Sequence, residues 1–305
     1  MERFRIKCPR CFKSKFWKTS DNRLRCKNCH YIFRPKTNLV NISNKLLKQV
    51  IVEFVLGHST NVILERVKIS KHKLLKTLTI LRIAITKDLP EVFEGIIEVD
   101  ETYLGGQMKN KRIKEKFQIK AKNKGKKKIS GFGTIKQPVF GILCRKGKVF
   151  AKIVSGIEAK DLQPLIEKQV KRGSTICSDT WRGYTGLAAK GYVHRLVEHG
   201  KNEYSDKRGG HINGLEGFWG YLKRKLASKG GIRKEKFPLY LGEYVWRYNH
   251  KSSSFKEQEK CLLNLWRKEN LLLLKNRLLA RKMKGNIHLS PILKVPIINI
   301  FSPKN

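Results

Sequence analysis

Two cysteine pairs, Cys8-Pro-Arg-Cys11 and Cys26-Lys-Asn-Cys29, stand fourteen residues apart near the start of the chain. Each C-x-x-C can bend into a knuckle that presents two thiolates, and two knuckles close a tetrahedral shell around one zinc ion. A segment this short cannot bury enough apolar surface to fold by itself, so the metal must supply most of its folding free energy. Residues 5–36 are therefore expected to form a zinc ribbon, with Cys8, Cys11, Cys26 and Cys29 as the Zn²⁺ ligands. His30 is adjacent, but four sulfurs already complete the shell. Arg10, Lys13, Lys15, Lys18, Arg23, Arg25 and Lys27 surround the pairs and suit contact with phosphates. Cys144, Cys177 and Cys261 are scattered through apolar surroundings, a usage that favours metal ligation over disulfides and a reducing compartment.

Charge indicates the partner. The 305 residues hold 67 Lys plus Arg against 24 Asp plus Glu, a formal net charge of +43 and a pI near 10.2. Such an excess makes binding to a phosphate backbone strong and salt-dependent whatever the base sequence, since each neutralised phosphate releases counterions. A ribosomal-type or membrane-surface protein is the plainer reading of the same balance. No run reaches the roughly 18 apolar residues that a membrane span needs. The start, MERFRIKCPRC, lacks the apolar stretch of a secretory signal. A cytoplasmic place at the nucleoid is expected if the host is bacterial, and a nuclear one if it is eukaryotic.

Over residues 41–90 the apolar spacing turns helical. Ser43 can cap a helix with Leu46, Leu47, Val50, Ile51 and Phe54 on one face, and Gly57 stands where it should stop. A second helix starts at Ser59 or Thr60, turns at Lys68-Ile69-Ser70 and restarts into a basic helix. This is a helix-turn-helix pattern, in which Lys71, His72, Lys73 and Lys76 would face a DNA groove or its phosphates.

From residue 93 to 250 strands and helices alternate. Ile96 to Asp100 predicts a buried strand, residues 138–144 and 148–154 a hairpin, and 158–171 a helix. A strand over 175–178 ends in Asp179, a helix is expected near 184–190, a strand near 194–197 and a long helix from Asn213. This is the order of an RNase H-like α/β domain, in which Asp100 and Asp179 end neighbouring central strands. At 100° per residue, Leu215, Phe218, Trp219, Leu222 and Leu226 share one stripe of the last helix. Asn213, Glu216, Gly220 and Lys223 share another, about a third of a turn away. One stripe packs and the other faces a site. Carboxylates converging from two strand ends and a helix are what a pair of hard divalent cations needs for in-line attack on a phosphodiester. Glu98 and Glu101 are competing acids, but Glu98 lies a pleat deeper and Glu101 points to the opposite face from Asp100. Trp219 and Cys177 are expected in the core, and His211 at the helix start.

IIEVDETYLGG, CSDTWRGY, and HINGLEGFWGYLKRKL followed by EYVWRYNHK resemble the DDE-type transposases of a bacterial insertion-sequence family and its eukaryotic Merlin relatives. The similarity covers roughly residues 5–250. It implies Mg²⁺-dependent (or Mn²⁺-dependent) cleavage at transposon ends and transfer of the freed 3′-hydroxyl to target DNA. Asp100 and Asp179 then match the two aspartates. Relatives use either acid or amide of the N-x-x-E helix, so Glu216 is the expected third ligand and Asn213 the second choice, with Lys223 holding a phosphate. Holding two ends together implies a homo-oligomer on DNA.

Between Gln107 and Lys128 stand eleven Lys or Arg and one acid, Glu115. Lys111 and Arg112 lie in this run, which is expected to track DNA beside the site, a nuclear localisation signal being the competing reading. Residues 251–305 should carry a helix over 257–284 of unassigned role. Two other classes remain open on sequence alone: a catalytically silent, transposase-derived DNA-binding protein, and a structural RNA-binding protein with a zinc ribbon.

Overall fold

A computed structural model describes residues 8–21, 23–33, 39–88, 92–105, 113, 136–145, 147–197 and 212–285. The fold class is mixed α/β, as the sequence pattern predicts, and the chain divides into two compact units.

The first unit lies within Met1–Ser43 and Arg267–Asn305. Its strands β1 (Phe16–Lys18), β2 (Leu24–Cys26) and β3 (Ile32–Phe33) form an antiparallel sheet in sequence order. Phe16 meets Phe33 edge to face at 5.5 Å, and the His30 ring stacks on Trp17 with centroids 5.9 Å apart.

The second unit spans Asn44–Trp266. It opens with α1 (Asn44–Val55), α2 (Thr60–Arg66) and α3 (Lys71–Lys87). Ser59 and Ser70 accept hydrogen bonds from the backbones of Val62 and Lys73, so each serine sets a helix start where the pattern placed one. Five strands follow as one mixed sheet: β4 (Ile96–Leu104), β5 (Gln137–Cys144), β6 (Val149–Ile153), β7 (Thr175–Ser178) and β8 (Val193–Leu196). Their order is β6-β5-β4-β7-β8, antiparallel among the first three and parallel from β4 to β8.

Helix α4 (Ala159–Gln169) covers one face of the sheet, and α5 (Asn213–Ala227) and α6 (Phe237–Asn249) cover the other. Alternation along β4 decides which side chain goes where. Ile97 and Val99 join Phe140, Ile142, Leu162, Ile166 and Tyr184 in one core. Leu104, Val139 and Leu143 meet Leu215, Phe218, Trp219, Leu222, Leu241 and Tyr244 in the second. The last helix, α7, runs Phe255–Gly285, close to the predicted span.

Two expectations need correction. In place of a helix near 184–190 there are two 3-10 turns, Arg182–Tyr184 and Ala188–Lys190. Gly186 and Gly191 adopt φ of 89° and 87°, which a continuous right-handed helix does not permit. The pattern also assigned no separate element to 237–249, where Pro238 in the first turn starts α6.

An ion cluster fastens α6 to the leading helices. The buried Glu243 accepts from Arg82 Nε at 2.7 Å and Arg247 Nε at 3.0 Å. Arg247 also donates to the carbonyls of Phe54 and Val55 at the end of α1. Burial works against the Glu243 carboxylate, but the two guanidinium groups outweigh it and hold its pKa below the usual range. Among the described residues, no helix is long and apolar enough to cross a membrane.

Candidate active site

β7 pairs with the first half of β4 in parallel, with Ile96 opposite Thr175, Ile97 opposite Ile176 and Glu98 opposite Cys177. Continuing that register by two places sets Asp179 alongside Asp100. The two aspartates are far apart in sequence and come together because β7 ends beside the middle of β4, which runs on to Leu104 instead of ending at Asp100 as the sequence pattern predicts.

The third acid arrives on α5. Its N-cap position, Ile212, offers no side-chain cap, and the role passes to the sheet. Glu98, fully buried on β4, accepts the backbone N–H of Leu215 at 2.9 Å and pairs with Arg145 at 3.3 Å. A carboxylate at a helix N-terminus satisfies an orphan donor and complements the helix dipole. A Cβ on Gly214 would come within 3.0 Å of that carboxylate, so the glycine permits the approach. This use of Glu98 accounts for it as a positioning group, and the first turn of α5 is left to present Asn213 and Glu216.

The two helical stripes predicted for α5 are present. Leu215, Phe218, Trp219 and Leu222 are buried, whereas Asn213, Glu216 and Lys223 are exposed. Trp219 does more than pack. Its indole Nε1 donates to Asp100 Oδ2 at 2.9 Å, so a core residue also orients the first acid. Gly141 lies opposite Asp100 on β5, and a Cβ there would stand 2.5 Å from the Trp219 ring. The glycine is thus what admits the indole over the sheet. Sequence periodicity marked Trp219 as core but not as a donor; the available signal was that a buried indole N–H needs an acceptor.

The acids feel one another's charge. Burial pushes Asp100 up to about 6, opposed by hydrogen bonds from the Glu101 backbone and from Trp219, and reinforced by the charges of Asp179 and Glu216. Asp179 Oδ1 accepts the backbone N–H of Trp181 at 3.0 Å, an Asx turn that fixes its carboxylate just past β7. Glu101 points to the opposite face, as alternation predicts, where the buried Tyr184 hydroxyl donates to it. Burial drives Glu101 up to about 7 against that hydrogen bond, with Asp100 and Asp179 adding repulsion. Cys177 is fully buried with Val197 and Ile212, a packing role.

The cysteine pairs converge as predicted. One sulfur from each of Cys8, Cys11, Cys26 and Cys29 lies within 4.8 Å of the others, with Cys8 and Cys26 buried. The two knuckles repeat one another. Cys8 donates to the Lys13 carbonyl and accepts from Phe12; Cys26 donates to the Tyr31 carbonyl and accepts from His30. Phe12 and His30 both take positive φ, 62° and 55°. A backbone hydrogen bond from Lys13 lowers the Cys11 thiol to about 6, whereas Cys29, against a backbone hydrogen bond from Tyr31, is pushed up to about 12 by burial and by the other three thiols, so the four sulfurs act on one another as a single group. An all-sulfur tetrad on two matched knuckles fits a tetrahedral ion such as zinc.

Among the predicted DNA-facing side chains, Lys71, Lys73 and Lys223 are exposed and Lys76 is half-buried. Lys111, Arg112 and His211 lie outside the described residues.

Residues 92–249 match the family model of the ISXO2-like transposase domain. An uncharacterized transposase-like protein of Haemophilus influenzae is 35% identical over 120 residues, covering 39% of this chain and 94% of that one. Among solved structures, the cryo-EM structure of the simian T-cell lymphotropic virus intasome with the PP2A regulatory subunit B56 gamma aligns at a TM-score of 0.31 and 12% identity, over 66% of this chain and 68% of that one.

Proposed function

The chain belongs to the ISXO2-like transposase family, and from that premise we propose that it cuts DNA at transposon ends and joins the freed 3′-hydroxyl to target DNA by metal-dependent phosphoryl transfer. One observation supports the reading: the parallel register of β4 and β7 sets Asp179 beside Asp100, and Trp219, on the helix that bears Glu216, donates a hydrogen bond to Asp100.

Asp100, Asp179 and Glu216 would hold a pair of Mg²⁺ or Mn²⁺ ions, with Asn213 as a further oxygen donor. The all-oxygen donor set suits such hard cations, and its mutual repulsion is what a divalent charge relieves. When bound, the ions lower the charge built up on the attacking and leaving oxygens. The chain's own residues position the reaction: Trp219 aims Asp100, the Asx turn aims Asp179, and the Glu98 cap fixes the turn bearing Glu216. Lys223, two turns beyond Glu216 on the exposed stripe, contacts the DNA backbone.

The sheet order, which runs 3-2-1-4-5 when its strands are counted from β4, supports an RNase H-like catalytic domain over 93–250. Residues 5–36 act as a zinc ribbon and 41–90 as a helix-turn-helix-like DNA-binding domain, with Lys71, Lys73 and Lys76 on DNA, while 251–305 form a helical extension. The basic run with Lys111 and Arg112 supplies further phosphate contacts. The net charge of +43 supports DNA as the partner. Two transposon ends require at least a dimer on DNA, at the nucleoid of a bacterium or in the nucleus of a eukaryote.

A strand-transfer assay tests this with purified full chain, Mg²⁺ and labelled transposon-end DNA. Wild type should join, whereas Asp100→Asn and Asp179→Asn should lose joining by at least 100-fold, on the order of a few kcal/mol of transition-state stabilisation, and still bind DNA. Comparing Glu216→Gln with Asn213→Ala identifies the third ligand. No joining by wild type, or joining retained by either aspartate variant, overturns the proposal.

A further inference from the structure

A second set of metal-type donors lies in the Asn44–Trp266 unit, apart from the acidic trio in sequence and in donor chemistry. Asp88 is the C-cap of α3, His250 is the C-cap of α6, and Cys261 sits in the second turn of α7. One ligand atom from each lies within 4.8 Å of the other two. Zinc bonds of about 2.0–2.3 Å imply donor–donor separations of roughly 3.3–3.8 Å in a tetrahedral shell, so an ion would need only a small further closure.

Contacts that involve no metal hold the His250 ring and brace the helices that bear the other two donors, of which Asp88 is itself exposed. His250 Nδ1 stands 2.9 Å from the Trp246 carbonyl, and the ring stacks on the Trp246 indole with centroids 4.2 Å apart. Only a protonated Nδ1 can donate to that carbonyl, which leaves the lone pair on Nε2. A backbone carbonyl holding one ring N–H while the other nitrogen ligates is the common outer-shell arrangement of metal-bound histidine. Gln258 donates to the carbonyls of His250 at 3.1 Å and Ser253 at 3.0 Å, bracing the turn between His250 and the helix of Cys261. Trp266 Nε1 donates to the Thr77 carbonyl at 3.2 Å, which seats α7 on the helix that ends in Asp88. A carboxylate, an imidazole and a thiolate form a mixed oxygen, nitrogen and sulfur set, suited to a borderline-soft ion and ill-suited to Mg²⁺.

We propose that Asp88, His250 and Cys261 bind a second Zn²⁺ ion, with the fourth position open to water. All three ligands fall outside the family-matched segment 92–249, one before it and two after it. The ion therefore clips together the two ends of the catalytic domain and fastens them to α7. Closing so long a loop through one coordination centre removes much chain entropy from the unfolded state.

Zinc content by inductively coupled plasma mass spectrometry tests the site on the full chain after desalting. The wild type should carry two equivalents. Cys11→Ser/Cys29→Ser, which disables the ribbon, should retain one, and adding Cys261→Ser to that background should remove it. Zinc held instead by the acidic trio would survive Cys261→Ser, so an unchanged content in that variant overturns the proposal. A ribbon-disabled chain with no zinc overturns it too. Should Cys261→Ser fail to fold, Co²⁺ titration of the ribbon-disabled chain decides: a charge-transfer band from one thiolate, lost in His250→Gln, is expected, and its absence refutes the site.

Discussion

Asp100→Asn should stabilise the metal-free protein while abolishing joining. In the folded chain the Asp100 carboxyl is raised from 3.8 to about 6, with burial as the largest cause. A carboxyl whose folded pKa exceeds its unfolded value binds more protons when folded, so stability falls as pH rises through that window. At 1.36 kcal/mol per unit, ionised Asp100 removes about 3 kcal/mol of stability at pH 8, roughly half of that at pH 5 and a few tenths near pH 4. Asn carries no charge to bury, and its side-chain oxygen still accepts from Trp219 Nε1. The variant should therefore gain about 3 kcal/mol at pH 8, equivalent to roughly 6–12 °C in Tm for a domain of 150–250 residues. Thermal unfolding in EDTA at pH 8 and pH 5 reads the gain and its halving. If the proposed metal site is right, adding Mg²⁺ should raise the Tm of wild type and leave the variant nearly unmoved, since the variant lacks one of the proposed carboxylate ligands. A variant no more stable than wild type at pH 8, or a gain that does not shrink toward pH 5, would refute the claim that burial raises this group.

Gly141→Ala places a methyl 2.5 Å from the Trp219 ring; displacement of the indole should cost about 1–3 kcal/mol and lower joining, and tryptophan fluorescence should register the move. Glu98→Gln keeps an acceptor for Leu215 N but loses the charge that pairs with Arg145, so a loss of about 1–3 kcal/mol in chemical denaturation is expected. Glu243→Gln leaves the half-buried Arg82 and Arg247 without their counter-charge and should destabilise by about 2–4 kcal/mol, toward the lower end of what breaking a buried pair costs. Because Glu243 is held below its usual pKa, its contribution should persist above pH 4.5 and fade only as acid protonates it in the folded state, which the same denaturation series below pH 5 would show.

Features set by local spacing were legible in the sequence. The cysteine tetrad follows from pair spacing, the packed and exposed stripes of α5 from the 100° period, and the pairing of Asp100 with Asp179 from two runs that each end in an acid. What stayed hidden depends on partners that spacing does not encode. Trp219 donates to a residue 119 positions away, and Glu98 caps a helix 117 positions later. Asp88, His250 and Cys261 belong to three helices whose packing decides their meeting. The missed 3-10 turns follow from glycines whose positive φ outweighs the helical apolar spacing around them.

The acids of β4 divide their labour by depth and face. Glu98 is fully buried and is consumed in capping α5, Asp100 is one pleat nearer the strand end and half-reaches solvent, and Glu101 turns to the far side against Tyr184. Since Glu98 and Asp100 both point at α5, the helix is tied to the central strand at its N-terminal turn and again at Trp219. Those two bonds fix the rotation of α5 about its axis, and with it the direction of Glu216. A rotation of one residue, 100°, would carry Glu216 off the exposed stripe and Trp219 off Asp100 together. The direction in which the first turn of α5 presents Glu216 is therefore set by hydrogen bonds among the chain's own residues.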